Sequence, residues 1–421
     1  MTLHSATLAI DEEVRARRQA GQDVLHLGFG EAGLPIPTGL SQTLTDAHQR
    51  NGYGPVAGSP QARTAAAGWF TRRGLPTEPD QILLAPGSKP LLFALLAALD
   101  GDVVLPRPSW VSYAAQATVL GRRTIWVPTP REAGGIPDPE HLATALRQGV
   151  ERGARPRALI LTIPDNPTGT VAPAEQVRAV CALAETHGLT VISDEIYAEL
   201  CHRGTAPSPA HYLPERTVVS TGLSKSLALG GWRIGYLRTP PGVWGRRLHQ
   251  ELIGVASEIW SSLAAPMQSV AAHALDEPPE IRAHLTASRH LHARIATALH
   301  ARLTTAGAHC RPPQAGFYLY PDFAPQREAL LAQDIHTSAE LATHLLHHHG
   351  IAALPGSAFG DPDTTLTLRL ATSLLYGTTP QDRRSALAAD EPERLPWIAA
   401  ALDRFSTELD MLTRGRAGRA A

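Results

Sequence analysis

Lysine occurs at only two positions of the 421-residue chain, Lys89 and Lys225, and every other one of its 38 basic residues is arginine. Arginine stays protonated, whereas lysine can lose its proton and condense with a carbonyl, so lysines that survive such a bias raise the question of amine chemistry. Lys225 lies in residues 217–236, TVVSTGLSKSLALGGWRIGY: a β-branched strand, a small-residue loop, then Gly230-Gly231-Trp232-Arg233. An amine and a guanidinium on one connection can place a Schiff-base nucleophile beside a phosphate. Upstream, residues 191–197 read VISDEIY, and the apolar strand delivers Asp194 to its carboxyl end, where open α/β sheets bind ligands. Asp165-Asn166-Pro167-Thr168-Gly169 is a turn that would present the Asn166 amide to the same edge.

Residues 83–99, LLAPGSKPLLFALLAAL, read as a strand that turns through Gly87-Ser88-Lys89 into a helix. The N–H groups of such a helix start suit a phosphate, and there a charged Lys89 is useful while a neutral amine is not. This favours Lys225 over Lys89 as the nucleophile. Arg369 alternates with Leu368 and Leu370 on a β-branched strand and so faces away from them.

These residues need a scaffold that brings distant segments together. Between about residues 59 and 263, short apolar strands (81–84, 103–105, 124–127, 158–162, 190–193, 217–220) alternate with helical stretches such as 91–99 and 175–185, the pattern of an α/β domain with a mostly parallel sheet. Ahead of it, residues 10–20 form an amphipathic helix and 24–27 a short strand, together an arm. After Asp276-Glu277-Pro278-Pro279 come a long helix at 284–303 and fewer strands (316–320, 365–371), suggesting a smaller α+β domain. The division expected is 1–45 (arm and part of the small domain), 46–277 (large domain) and 278–421 (small domain), within the two or three domains that about 150 residues each would suggest.

Composition sets outer bounds. With 43% hydrophobic and 18% charged residues, the chain is neither disordered nor collagen-like. A formal net charge of -1 gives no global attraction to nucleic acid or membrane and favours a small-molecule substrate. Cys181, Cys201 and Cys310 are too scattered for a disulfide framework or a metal site and read as buried thiols of a reducing compartment. Residues 1–22 carry Asp11, Glu12 and Glu13 without the order of a signal peptide, and no long apolar run suggests a membrane span, so a cytoplasmic location is expected. His347-His348-His349 point around a helix and cannot converge on one ion; they read as a solvated face.

The ordered segments around Asn166, Asp194 and Lys225 resemble the fold type I pyridoxal-phosphate enzymes, specifically the class I/II aminotransferases, over residues 28 to about 372. The resemblance implies a large domain with a mostly parallel sheet plus a smaller α+β domain, and pyridoxal 5′-phosphate as cofactor. Lys225 would form the internal aldimine and shuttle a proton between the substrate Cα and the cofactor C4′. Asp194 would face the pyridine nitrogen, and Asn166 and Tyr197 would hydrogen-bond the ring O3′. Gly87, Ser88, Lys89 and Arg233 would hold the phosphate with a hydroxyl from Ser224 or Thr221; the position three before the lysine, where many relatives carry a hydroxyl, is Gly222.

Trp110, within Pro108-Ser109-Trp110-Val111-Ser112-Tyr113, would stack on the ring and favours transamination over chemistries that place histidine there. Arg369 would clamp the substrate α-carboxylate, with Gly30 closing over it. Tyr53, in GYGPVAG, would reach the phosphate of a neighbouring subunit, making a homodimer with shared active sites the functional unit. The implied reaction is ping-pong transfer of an amino group between an α-amino acid and a 2-oxo acid. A β-lyase or amino-acid oxidase on the same scaffold shares these residues. A cofactor-binding regulator lacks the basic DNA-binding segment it would need. Trp260, in Glu258-Ile259-Trp260-Ser261-Ser262, falls in the segment that by the same resemblance reaches the substrate pocket from the partner subunit; it points to an apolar or aromatic substrate, and a place in the dimer interface is its alternative.

Overall fold

The computed structural model describes residues 5–130 and 132–414. Seven strands build the central sheet: β2 (Ile82–Pro86), β3 (Asp102–Arg107), β4 (Thr124–Pro128), β5 (Pro156–Thr162), β6 (Thr190–Asp194), β7 (Thr217–Gly222) and β8 (Ile234–Arg238). They follow β1 (Leu25–His26), which lies outside this sheet. Their order is β2-β8-β7-β6-β5-β3-β4. Only β8 runs antiparallel to its neighbours, β2 and β7. The carboxyl ends of the other six strands and the start of β8 therefore share one edge.

The strands read as apolar runs because both faces of the sheet are covered. On one face Ala158 and Ile160 of β5 pack with Val103 and Leu105 of β3 under the buried leucines of helix Ser88–Ala98. On the other, Leu159 and Leu161 pack with Val104 against helices Pro139–Glu151 and Ala174–Thr186. The sequence reading placed six of the seven strands and missed β8, whose residues it had read as the tail of the Lys225 connection.

A second, smaller set of strands follows: β9 (Tyr318–Leu319), β10 (Ile351–Ala352), β11 (Leu354–Pro355) and β12 (Leu368–Ala371). β9 and β11 flank β12 antiparallel, while β10 pairs in parallel with β1 from the arm. Leu25, Leu27 and Leu34 accordingly share one core with the 27-residue helix Pro279–Thr305 and helix Pro396–Arg414. The arm returns to the small domain because Leu25 and Leu27 bury there. The outer ends of the expected division, residues 1–4 and 415–421, lie outside the described residues.

Among the described residues no helix is long and apolar enough to cross a membrane. Cys181 and Cys201 are buried, but Cys310 is only half-buried, which corrects that part of the thiol reading. The histidine run closes helix Ser338–His349, where His349 Nδ1 lies 2.8 Å from Glu408 and His347 lies beside Arg17.

Candidate active site

A cavity of about 350 Å³ opens at the edge shared by the strand ends. Each segment singled out in the sequence for the cofactor or substrate, except those of Tyr53 and Trp260, contributes to its wall: Gly30, Ser88, Lys89, Trp110, Asn166, Asp194, Tyr197, Ser224, Lys225, Arg233 and Arg369. The cavity thus sits where an open α/β sheet binds its ligand. A larger groove of about 1140 Å³ lies elsewhere, along helix Pro279–Thr305, and holds none of these residues.

Asp194 is the last residue of β6 and is pinned on both sides, opposite Thr162 of β5 and Ser220 of β7. Its carboxylate accepts hydrogen bonds from Tyr113 Oη at 2.7 Å and from the Ile196 amide at 3.3 Å. Burial pushes its pKa up to about 6 against the opposing pull of Tyr113 and Lys225. Buried, accepting two hydrogen bonds and in the same cavity as Lys225, this carboxylate is placed as a countercharge for a cationic group.

Lys225 projects from the short helix Leu223–Ser226 directly after β7, and its Nζ donates to the Gly30 carbonyl. Burial, with Arg369 nearby, lowers its pKa to about 8. A free amine is therefore accessible near neutrality, as a nucleophile or proton carrier requires.

The anion-binding corner forms where β2 turns into helix Ser88–Ala98. Gly87 takes φ +93°, and a Cβ there would collide with the Arg233 guanidinium. A Cβ on Gly235 would strike the Gly87–Ser88 backbone. Two glycines thus let the loop, the helix start and Arg233 close on one another. Because β8 is antiparallel, Arg233 just before it reaches the same edge as the helix N-terminus. Ser224 lines the cavity, whereas Thr221 turns away and donates to the Glu195 carbonyl at 3.3 Å. Ser224 is therefore the hydroxyl available to this corner. Lys89 sits 5.2 Å from the Trp110 ring centre, its pKa lowered by burial and by Arg233.

Arg369 of β12 is 1% exposed, and its Nε is buried without an acceptor. Its Nη2 donates to the Gly28 carbonyl, and its Nη1 lies 3.5 Å from Asn166 Oδ1. A buried guanidinium with an unsatisfied donor fits a carboxylate. Among the lining residues Lys89, Lys225, Arg233 and Arg369 face a single carboxylate, Asp194, so the cavity suits anions.

Tyr53 stands apart: it is 98% exposed and does not line this chain's cavity. Trp260 caps helix Gly242–Ile259 and packs on the large-domain core, also away from the cavity. Sequence reasoning missed Tyr113, Tyr318, Phe29 and the arm residues Ser5, Thr7 and Leu8, all of which line the cavity. Tyr113 could have been found three positions after Trp110 on a helix, where the two rings meet edge to face at 5.2 Å. Tyr318 is visible only through strand pairing: it lies opposite Ala371, hence diagonal to Arg369.

The family model described as aminotransferase class I and II matches residues 22–377. The aspartate aminotransferase of Geobacillus stearothermophilus is 32% identical over 88% of this chain and 92% of its own length. The aspartate/prephenate aminotransferase of Thermus thermophilus is also 32% identical, over 91% and 94%. Among solved structures, the Thermus thermophilus aspartate aminotransferase with maleate superposes with a TM-score of 0.81 at 30% identity, covering 96% of this chain and 97% of that one. An aromatic aminotransferase from Pyrococcus horikoshii gives 0.75 at 26% identity, over 94% and 98%.

Proposed function

Since the chain belongs to the class I and II aminotransferase family and is a transaminase, we propose that it exchanges an amino group between an α-amino acid and a 2-oxo acid by a ping-pong cycle, using pyridoxal 5′-phosphate held by Lys225. The observation that carries this reading is the convergence on one cavity of Asp194 from β6, Arg369 from β12 and Lys225 from the short helix after β7. The residues fit the cofactor. The buried Asp194 carboxylate, fixed by Tyr113, suits a protonated ring nitrogen, and the Trp110 face suits a flat ring. Ser88, Ser224, Arg233 and the helix start suit a phosphate. Bound there, pyridoxal 5′-phosphate supplies an electron sink for the pair left at the substrate Cα.

The chain's own groups do the rest. Arg369 holds the α-carboxylate through a guanidinium that is already desolvated. Lys225 Nζ, with its lowered pKa, takes the proton from the substrate Cα. Asp194 keeps a proton on the ring nitrogen, and Asn166 and Tyr197 hold the ring oxygen. The β-lyase and oxidase alternatives lose support because the matched relatives carry aminotransferase names.

The substrate we infer carries a second carboxylate. Arg369 serves the α-carboxylate and Arg233 the phosphate, so we move Lys89, which the resemblance assigned to the phosphate, to the second carboxylate: its ammonium lies in the cavity wall, 5.2 Å from the Trp110 ring centre. The names of the relatives, aspartate and aspartate/prephenate aminotransferases, point the same way. Trp260 lies outside this chain's own cavity, and its expected contribution is to the pocket of a partner subunit.

The test loads the protein with pyridoxal 5′-phosphate, reduces it with borohydride and maps the labelled peptide. Label at Lys225, and loss of transamination in Lys225→Ala, are expected; label at Lys89 or turnover in Lys225→Ala would refute the assignment. In a donor panel, Lys89→Gln is expected to lower kcat/KM for aspartate by about 10-fold or more while affecting phenylalanine far less, as loss of a charged contact predicts.

A further inference from the structure

Tyr318 has no role in the chemistry described so far, yet it touches three parts of the site. Its Oη lies 2.8 Å from Tyr197 Oη, and the Arg369 guanidinium carbon sits 4.9 Å from its ring centre. It is 1% exposed, and its hydroxyl fills the space where any side chain on residue 30 would begin. The charged groups around the tyrosine pair are Asp194 and Arg369, with Lys225 in the same cavity. Burial raises the pKa of both phenols, so each keeps its single hydrogen at neutral pH.

Two hydroxyls with one hydrogen each can share only one hydrogen between them. If Tyr197 commits its hydrogen to the cofactor's ring oxygen, as the proposed function requires, the bond between the tyrosines has one possible direction. We propose that Tyr318 is a positioning residue that donates its hydroxyl hydrogen to Tyr197 while its ring face supports the Arg369 guanidinium, so that one side chain orients both the ring-oxygen donor and the carboxylate clamp. The proposal rests on the cofactor reading above. A hydroxyl that accepts a hydrogen bond becomes a better donor, so Tyr318 strengthens the hydrogen bond that Tyr197 gives. Arg369 over an aromatic face gains a cation–π contact in a water-poor setting and is held in its plane.

The two functions separate by substitution. Tyr318→Phe removes the hydroxyl and keeps the ring, whereas Tyr318→Leu removes both. The readout is the pH midpoint of the absorbance change of the pyridoxal 5′-phosphate-loaded protein. A weaker hydrogen bond to the ring oxygen leaves more negative charge there and raises that midpoint. Tyr318→Phe is expected to raise it by roughly 0.2–0.5 pH units, a fraction of the shift in Tyr197→Phe. In the Tyr197→Phe background, adding Tyr318→Phe is expected to shift it no further. The KM for the amino acid is expected to rise more in Tyr318→Leu than in Tyr318→Phe.

An unchanged midpoint in Tyr318→Phe, or an equal added shift in the Tyr197→Phe background, would overturn the donor role. Equal KM values in the two variants would overturn the support of Arg369. If the unsubstituted protein gave no cofactor absorbance at all, the proposed function would fail first, and that outcome is separate. Melting temperature, followed in parallel, reports whether Tyr318→Leu still folds, and the Tyr318→Phe comparisons decide the donor role in either case.

Discussion

Burial decides what the site's ionisable groups can do. The Lys225 pKa lies at about 8 against an ordinary 10.5, because burial penalises the ammonium. A lowered pKa means that the amine is free at lower pH. Trapping of pyridoxal 5′-phosphate at Lys225 by borohydride should therefore climb between about pH 7 and pH 9 and level off above, whereas an ordinary exposed lysine would still be climbing there. A midpoint near 10, measured by peptide mapping across pH, would contradict the buried-amine account. Asp194 depends on Tyr113 in a similar way. Tyr113→Phe deletes the 2.7 Å bond to its carboxylate. A hydrogen bond to a charged group is worth about 1.5–3 kcal/mol. Steady-state kinetics should show kcat falling by about 10-fold or more with little change in KM.

At the scale of elements, the anion corner exists because one loop-to-helix junction and one antiparallel strand meet without side chains between them. Gly87 holds φ +93°, and its missing Cβ is the space that the Arg233 guanidinium occupies. Gly87→Ala should cost about 1–3 kcal/mol of folding stability from backbone strain, read as a lower melting temperature. By displacing Arg233 it should also weaken pyridoxal 5′-phosphate binding by about 10-fold or more in a fluorescence titration. Affinity equal to that of the unsubstituted protein would mean that Arg233 does not serve the phosphate.

For the whole molecule, Tyr53 poses the question of assembly. Tyr53 is 98% exposed on a glycine-rich loop, free to meet a partner, and the sequence resemblance places it on a neighbour's phosphate. We propose that the partner is a second copy, with Tyr53 completing the phosphate site of its neighbour. One variant to mix is Lys225→Ala. The other is Tyr53→Phe combined with a blocking change in the Trp260 segment. Each should be inactive alone. Random exchange makes half of the dimers hybrid, with one intact site in each, so activity should return to about a quarter of the normal level. A monomeric mass by light scattering with full activity, or no rescue despite proven exchange, would count against a shared site.

Much of this protein was legible in its amino-acid sequence, and for a physical reason: the chemistry needs particular side chains and the sheet needs particular periods. Only a lysine can supply the amine, so Lys225 stood out against a background of arginine. Asp194, at the end of an apolar strand, announced its place at the sheet edge, and strand alternation turned Arg369 away from its leucine neighbours. Strands buried on both faces must read as apolar runs, and six of the seven were found that way. What escaped depends on who sits beside whom. β8 was missed because a strand that starts within a catalytic loop carries no separate turn signal, and its antiparallel direction is what brings Arg233 to the edge. That Ser224 and not Thr221 faces the cavity depends on how the chain turns from β7 into the short helix Leu223–Ser226. Tyr318 reaches Arg369 and Tyr197 through a cross-strand diagonal and a fold that joins residues more than a hundred positions apart. Local sequence sets the period and the chemical type of each residue, while partners distant in the chain are chosen only when the burial of both sheet faces and of the arm's leucines closes the molecule.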